Sequence, residues 1–114
     1  MPPTALSAAI TRLSAPLQPC PSDGMLVASF AADRNEVAFA ELVRRHGPMV
    51  LAVCRRITGH AQDAEDAFQA TFLVLARRAG AVGRPEQIDN WLYGVAVRTA
   101  RATRAAAARR RSST

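Results

Sequence analysis

Apolar positions along this chain fall mostly three and four residues apart, and no stretch alternates with period two for long enough to argue for a strand. The pattern therefore predicts helices, and their ends are marked by capping residues. Ser22 or Asp23 caps a short helix through "GMLVASFAA". Asp33 or Asn35 caps the next, "EVAFAELVRRH", whose apolar stripe is Val37 or Ala38, Leu42 and Val43, with Phe39 beside it. Gly47-Pro48 is expected to break or kink the chain, since proline suits the first turn of a new helix, "PMVLAVCRRIT", ending at Gly59. A third long helix is predicted from about residue 62 to residue 79, stopping at Gly80. After the loop "GAVGRP" a last helix runs from Pro85 or Glu86 to about Arg110, with Gly94 its one weak point. The expected fold is all-α: a compact bundle of four to five helices with a long basic C-terminal helix.

Abundant Ala, Leu and Arg favour helix, because these side chains lose little freedom in it. Residues 1–22, rich in Pro, Ala and Ser, are expected to form a disordered tail, residues 23–111 one domain and residues 112–114 a short tail. The opening segment lacks a basic stretch before its apolar run, and "LQPC" makes a poor lipid-attachment site. The longest apolar runs, "MVLAVC" and "FLVLA", are too short to span a membrane. Cys20 and Cys54 lie far apart, so a reduced, cytoplasmic setting fits better than a disulfide framework.

Charge changes the picture more than composition does. The net charge of +6 comes from arginine alone, and it is unevenly spread. Residues 23–76 carry seven acids against five arginines, whereas residues 77–114 carry nine arginines against two acids. From Asn90 onward there are six arginines and no acid. A near-neutral body with a strongly basic end suggests a polyanionic partner, most often nucleic acid. For "RRRSST" a solvated tail explains the charge equally well, but Arg98, Arg101 and Arg104 recur at helical spacing.

On a helical wheel, Ala64, Phe68, Thr71, Leu75 and Ala79 share one side, with Phe72 bordering them. Opposite lie Asp66, Gln69, Leu73 and Ala76, with Asp63 and Arg77 at the edge. An exposed leucine is ordinary; one framed by Asp66 and Gln69 also fits a docking surface. In the last helix, Ile88, Leu92, Val95, Ala96, Thr99, Ala102 and Ala106 form the expected core face, with Trp91 at its edge. The other face carries Asn90, Tyr93, Val97, Arg101 and Arg104, with Arg98 on the flank. Guanidinium groups grip phosphates, asparagine bonds base edges, and aromatics stack on unpaired bases at roughly 1–3 kcal/mol per base. Finishing the core is the alternative role for Trp91 and Tyr93, and Trp91, near the core by its spacing, fits a mixed role.

Spacing at His60, Asp63 and Asp66 is compatible with metal ligation, but dipole complementation explains the acids more simply. No metal or other cofactor is expected. No nucleophile–base motif and no phosphate-binding loop is present, which points away from an enzyme.

Two segments carry a family resemblance. "AFAELVRRHGPMVLAVCRRITGHAQDAEDAFQATFLVLARRA" followed by "NWLYGVAVRTARATRAAAARRR" resembles region 2 of bacterial sigma-70 family sigma factors, closest to the extracytoplasmic-function (ECF) group. The resemblance covers about residues 24–111, and "DAEDAFQATF" and "NWLYGVA" are its most specific parts. It implies a domain that binds core RNA polymerase, at a coiled coil of the largest subunit, and recognises and melts the minus-ten promoter element. Asp63, Asp66, Gln69 and Leu73 would then face polymerase. Residues 81–84, Asn90, Tyr93, Gly94, Val97 and Arg98 would line the pocket of a flipped base of the non-template strand, and Trp91 would also bind DNA. Arg101, Arg104 and the later arginines would hold phosphates. An anti-sigma factor is a further implied partner. Members normally continue into a second domain with a helix-turn-helix, which is expected to be absent here. The rival expectations are a generic basic DNA-binding helical module, or a protein-interaction bundle without promoter activity.

Overall fold

Capping side chains set where the first two helices begin. The computed structural model describes residues 20–112. The expected N-terminal tail lies outside them as far as residue 19, as do residues 113 and 114. Helix α1 (Asp23–Asp33) is capped by Ser22, whose Oγ accepts the Met25 N–H at 3.1 Å. Helix α2 (Glu36–Thr58) is capped by Asn35, whose Oδ1 accepts the Val37 and Ala38 N–H groups at 3.0 and 3.2 Å. Helix α3 spans Ala61–Arg78 and α4 spans Ile88–Ser112, with 3₁₀ turns at Ala79–Ala81 and Pro85–Gln87 between them. No strand occurs among the described residues. The fold is all-α, with four α-helices among the described residues.

Gly47-Pro48 does not break the chain: α2 runs through Pro48 as one helix of 23 residues. Proline removes one ladder hydrogen bond and costs about 3 kcal/mol inside a helix. Burial outweighs that cost here. Leu42, Val50, Val53 and Cys54 lie on both sides of the proline and are almost fully buried; each large aliphatic side chain contributes about 2 kcal/mol. Gly47 is itself buried, with the Phe68 ring close to its Cα. The helix ends at Gly59, whose φ of 72° is a left-handed cap that other residues adopt only with strain.

Helices α2, α3 and α4 pack against one another, and α1 closes one end by packing on α2 and on the α3–α4 connection. Leu42, Leu75, Ile88 and Leu92 are fully buried at the centre. Phe30, Phe39, Phe72 and Phe68 form a chain of ring contacts from α1 across α2 to α3, at 4.8, 6.4 and 5.1 Å between successive centroids. Arg34 joins α1 to α3: its Nη1 donates to the Ala76 carbonyl at 2.7 Å, and its guanidinium lies 4.2 Å from the Phe30 ring centre. The Cys54 thiol is buried, and burial pushes its pKa up, partly countered by the Thr71 hydroxyl.

Three details of the expected stripes are corrected. At the start of α2, Ala38 is buried and Val37 is 79% exposed. In α3, Ala67 is fully buried whereas Phe68 is only partly so. In α4 the core face shifts along the helix. Ala100 and Ala107 are buried, Thr99 and Ala106 only partly, and Ala102 is exposed. The buried face of α4 rotates along the helix as its neighbours change, so a face fixed on one side of a wheel misses the positions buried in the last turns.

Charged side chains fasten α1 to α2. Asp23 lies 3.2 Å from Arg45 Nη1 and 3.1 Å from His46 Nε2, the latter approach too poorly aligned for a hydrogen bond. Glu41 accepts from Arg44 and from Arg45 at 2.6–2.8 Å. The Arg44 hydrogen bonds, then those from Arg45, hold the Glu41 carboxyl at about 2, well below the usual carboxylate range.

Candidate functional site

The two helices singled out in the sequence are joined through a buried polar strap. Thr71 on α3 and Thr99 on α4 place their hydroxyl oxygens 2.7 Å apart. Backbone carbonyls complete the pair: Ala67 O lies 2.8 Å from the Thr71 hydroxyl, and Ala96 O lies 3.2 Å from that of Thr99. Every partner of this pair is internal, which fixes one register of α3 against α4.

The outward side of α3 is apolar at its centre and polar at its N-terminal end. Leu73 is 50% exposed, and Asp66 and Gln69 are exposed beside it. Gln62 Nε2 donates to Asp66 Oδ1 at 3.1 Å, holding that carboxylate along the helix surface. Leu73 borders a shallow groove between α2 and α3, lined by Phe39, Val43, Phe68, Phe72 and Ala76. Sequence reasoning found Leu73 but not this groove. The signal lay in the phenylalanines: Phe39 and Phe68 are only partly buried, and both line it.

Asp63 is not brought to this groove. Its carboxylate points toward the end of α4, 3.7 Å from Arg111 Nη2. Asp63 is also partly shielded, whereas Asp66 is open. The two acids of this helix start therefore have different neighbours, Arg111 for Asp63 and Gln62 for Asp66. No group of three or more His, Cys, Asp or Glu among the described residues is placed to hold a metal ion.

The outward side of α4 is cationic. Asn90, Arg98, Arg101 and Arg104 are exposed, and Tyr93 is 48% exposed. Among the described residues, Arg98, Arg101 and Arg104 have no ion-pair partner, so their guanidinium groups are available to a ligand. Arg98 lies back over Gly94, with its Nη1 3.5 Å from where a Cβ would stand. Gly94 thus leaves a shallow floor one turn before Arg98. Trp91 and Val97 are half-buried and pack against the core, with one side of each still reachable. The loop before α4 is anchored by Val82, which is buried, while Gly83 and Arg84 are exposed.

One helix face thus offers an exposed apolar strip, and its neighbour offers arginines, an amide and an aromatic ring. A comparison with protein families matches residues 42–111 to Sigma-70 region 2, a span covering both helices and the loop between them. The chain belongs to the Sigma-70 region 2 family. Sigma region 2 acts in transcription initiation by binding, without catalysing a reaction. Comparison with curated proteins and with solved structures returned no match. Among the described residues no helix is long and apolar enough to cross a membrane.

Proposed function

We propose that this sigma region 2 domain is of the ECF type and works in the cytoplasm, docking on core RNA polymerase through α3 and reading the minus-ten non-template strand through α4. In this reading Leu73 enters a site on the coiled coil of the largest subunit, with Asp66 and Gln69 at its rim. Asp63 contributes at the edge of the interface, beside Arg111. A base flipped from the strand sits between residues 81–84 and the face of Asn90, Tyr93, Gly94, Val97 and Arg98, with Trp91 behind. Flipping has a cost of a few kcal/mol, which stacking and edge contacts offset. Arg101 and Arg104 hold the flanking phosphates. An anti-sigma protein would act by covering the Leu73 groove.

The observation that carries the reading is the pairing of an exposed apolar strip with an exposed cationic face on two helices tied by Thr71 and Thr99. A generic basic module needs no such strip, and a protein-interaction bundle needs no such arginines. The deciding experiment measures binding of the chain, with and without core polymerase, to single-stranded and duplex promoter DNA over a range of salt. The expected result is a polymerase-dependent preference for the single non-template strand. Equal binding to randomised duplex, unaffected by polymerase, would remove the reading.

A further inference from the structure

The connection between α3 and α4 is held at two points. Val82, the first, is buried in the core between two glycines that face open space. Glu86, in the second 3₁₀ turn, is the other. Its Oε1 accepts the backbone N–H of Gly24 at 2.7 Å, although the two residues are 62 positions apart. The approach is close: a Cβ on residue 24 would lie 2.6 Å from Glu86 Cδ, so a side chain there would push the carboxylate off the N–H. Gly24 sits in the first turn of α1, where backbone N–H groups lack intrahelical acceptors and negative charge is favoured. The bond is charge-assisted for the same reason. Asp23, the preceding residue, pairs with Arg45 of α2 at 3.2 Å. The first turn of α1 is therefore a fixed post, and Glu86 ties the end of the loop to it.

We infer that Glu86 is a positioning residue for promoter reading, fixing the loop exit so that Arg84 and the first turn of α4 keep one geometry toward the unpaired strand. The inference rests on the minus-ten assignment proposed above. Glu86 touches no DNA in this scheme; it acts through the loop. Without it, residues 83–87 keep the short-range bonds of their own turn, Gln87 N–H to the Arg84 carbonyl at 2.8 Å and Ile88 N–H to that of Pro85. A loop held only by such local bonds must be ordered when the base arrives, which weakens binding and blurs discrimination.

The test presents the full chain, bound to core RNA polymerase, with a pool of short single-stranded oligonucleotides of random sequence, and sequences the bound fraction. Glu86→Ala is expected to lower enrichment of the preferred base by about tenfold, the scale of a single base-edge hydrogen-bonding pair. Glu86→Gln keeps an oxygen for the Gly24 N–H and should retain most of the preference. Gly24→Ala should reproduce the loss with no change in charge. Polymerase binding and helix content should stay the same in all three. If Glu86→Ala and Glu86→Gln both tighten DNA binding, as removal of a negative charge alone predicts, the inference is overturned. Loss of polymerase binding in step with DNA binding would also overturn it, by making Glu86 a strut of the whole fold. An unaltered chain that recovers every base equally would instead bring down the promoter reading itself, and this inference with it.

Discussion

Helices α3 and α4 turn their inner sides to one core and their outer sides to different chemistry. On α3 the outer centre is Leu73, with a groove of phenylalanine edges beside it and acids toward the N-terminus. On α4 the same outward direction carries arginines and no acid beyond Asp89. An apolar strip gains affinity by leaving water and is nearly indifferent to salt. A guanidinium face gains it by releasing counterions and is strongly salt-dependent. The difference teaches that the two faces suit ligands of different chemistry, the one apolar and the other polyanionic.

The hardest blow to this division is a charge in the strip. Leu73→Arg should weaken polymerase association by about 2 kcal/mol or more, with helix content by circular dichroism unchanged. A pull-down with normal recovery would mean that α3 is not the protein-facing side. On the other helix, Arg101→Ala should leave polymerase recovery intact and weaken binding of single-stranded DNA. The slope of log affinity against log salt should fall by about 0.7, the share of one phosphate on a single strand. An unchanged slope would take Arg101 off the DNA path.

The strap between the two faces should show itself in stability. Thr71→Val leaves Thr99 to bond within its own helix, at 3.2 Å from the Ala96 carbonyl, so the loss should be about 1 kcal/mol in denaturant unfolding. A larger effect on joint binding of polymerase and DNA than on either alone would show that the register matters for function.

The smallest effect lies away from both faces. Glu41 is held at about 2 against an ordinary 4.5 by hydrogen bonds from Arg44 and then Arg45. Its folded-state pKa is depressed, so the unfolded chain takes up the proton first as pH falls. The stabilisation is complete above about 4.5, declines below it, and is gone once pH has passed through about 2. The acid limb of a stability profile should therefore be shallower in Glu41→Gln. Exposure keeps the effect modest. A Glu41→Gln profile parallel to that of the unaltered chain would count against these bonds.

How much of this was legible beforehand depends on the range of the interactions. Caps at Ser22 and Asn35, the stop at Gly59 and the exposed Leu73 all follow from local chemistry, and the sequence pattern places them within a residue or two. Pro48 misled because its local penalty is real, and only the burial of Leu42, Val50 and Val53 around it overrides that penalty. Ala102 misled because a wheel assumes a straight core face. Asp63 and Asp66 stand three apart, as near neighbours on a helix do, yet the end of α4 draws one of them away. The Gly24–Glu86 bond had no signal at all, since neither residue is unusual in its own neighbourhood.

The two cysteines give the folded state a built-in clock. Cys20 stands open to solvent, while Cys54 lies at zero exposure within the core with its thiol pKa raised. An alkylating reagent should consume one equivalent at once and the second only as fast as the bundle opens, so the delayed uptake counts opening events without any added dye or label.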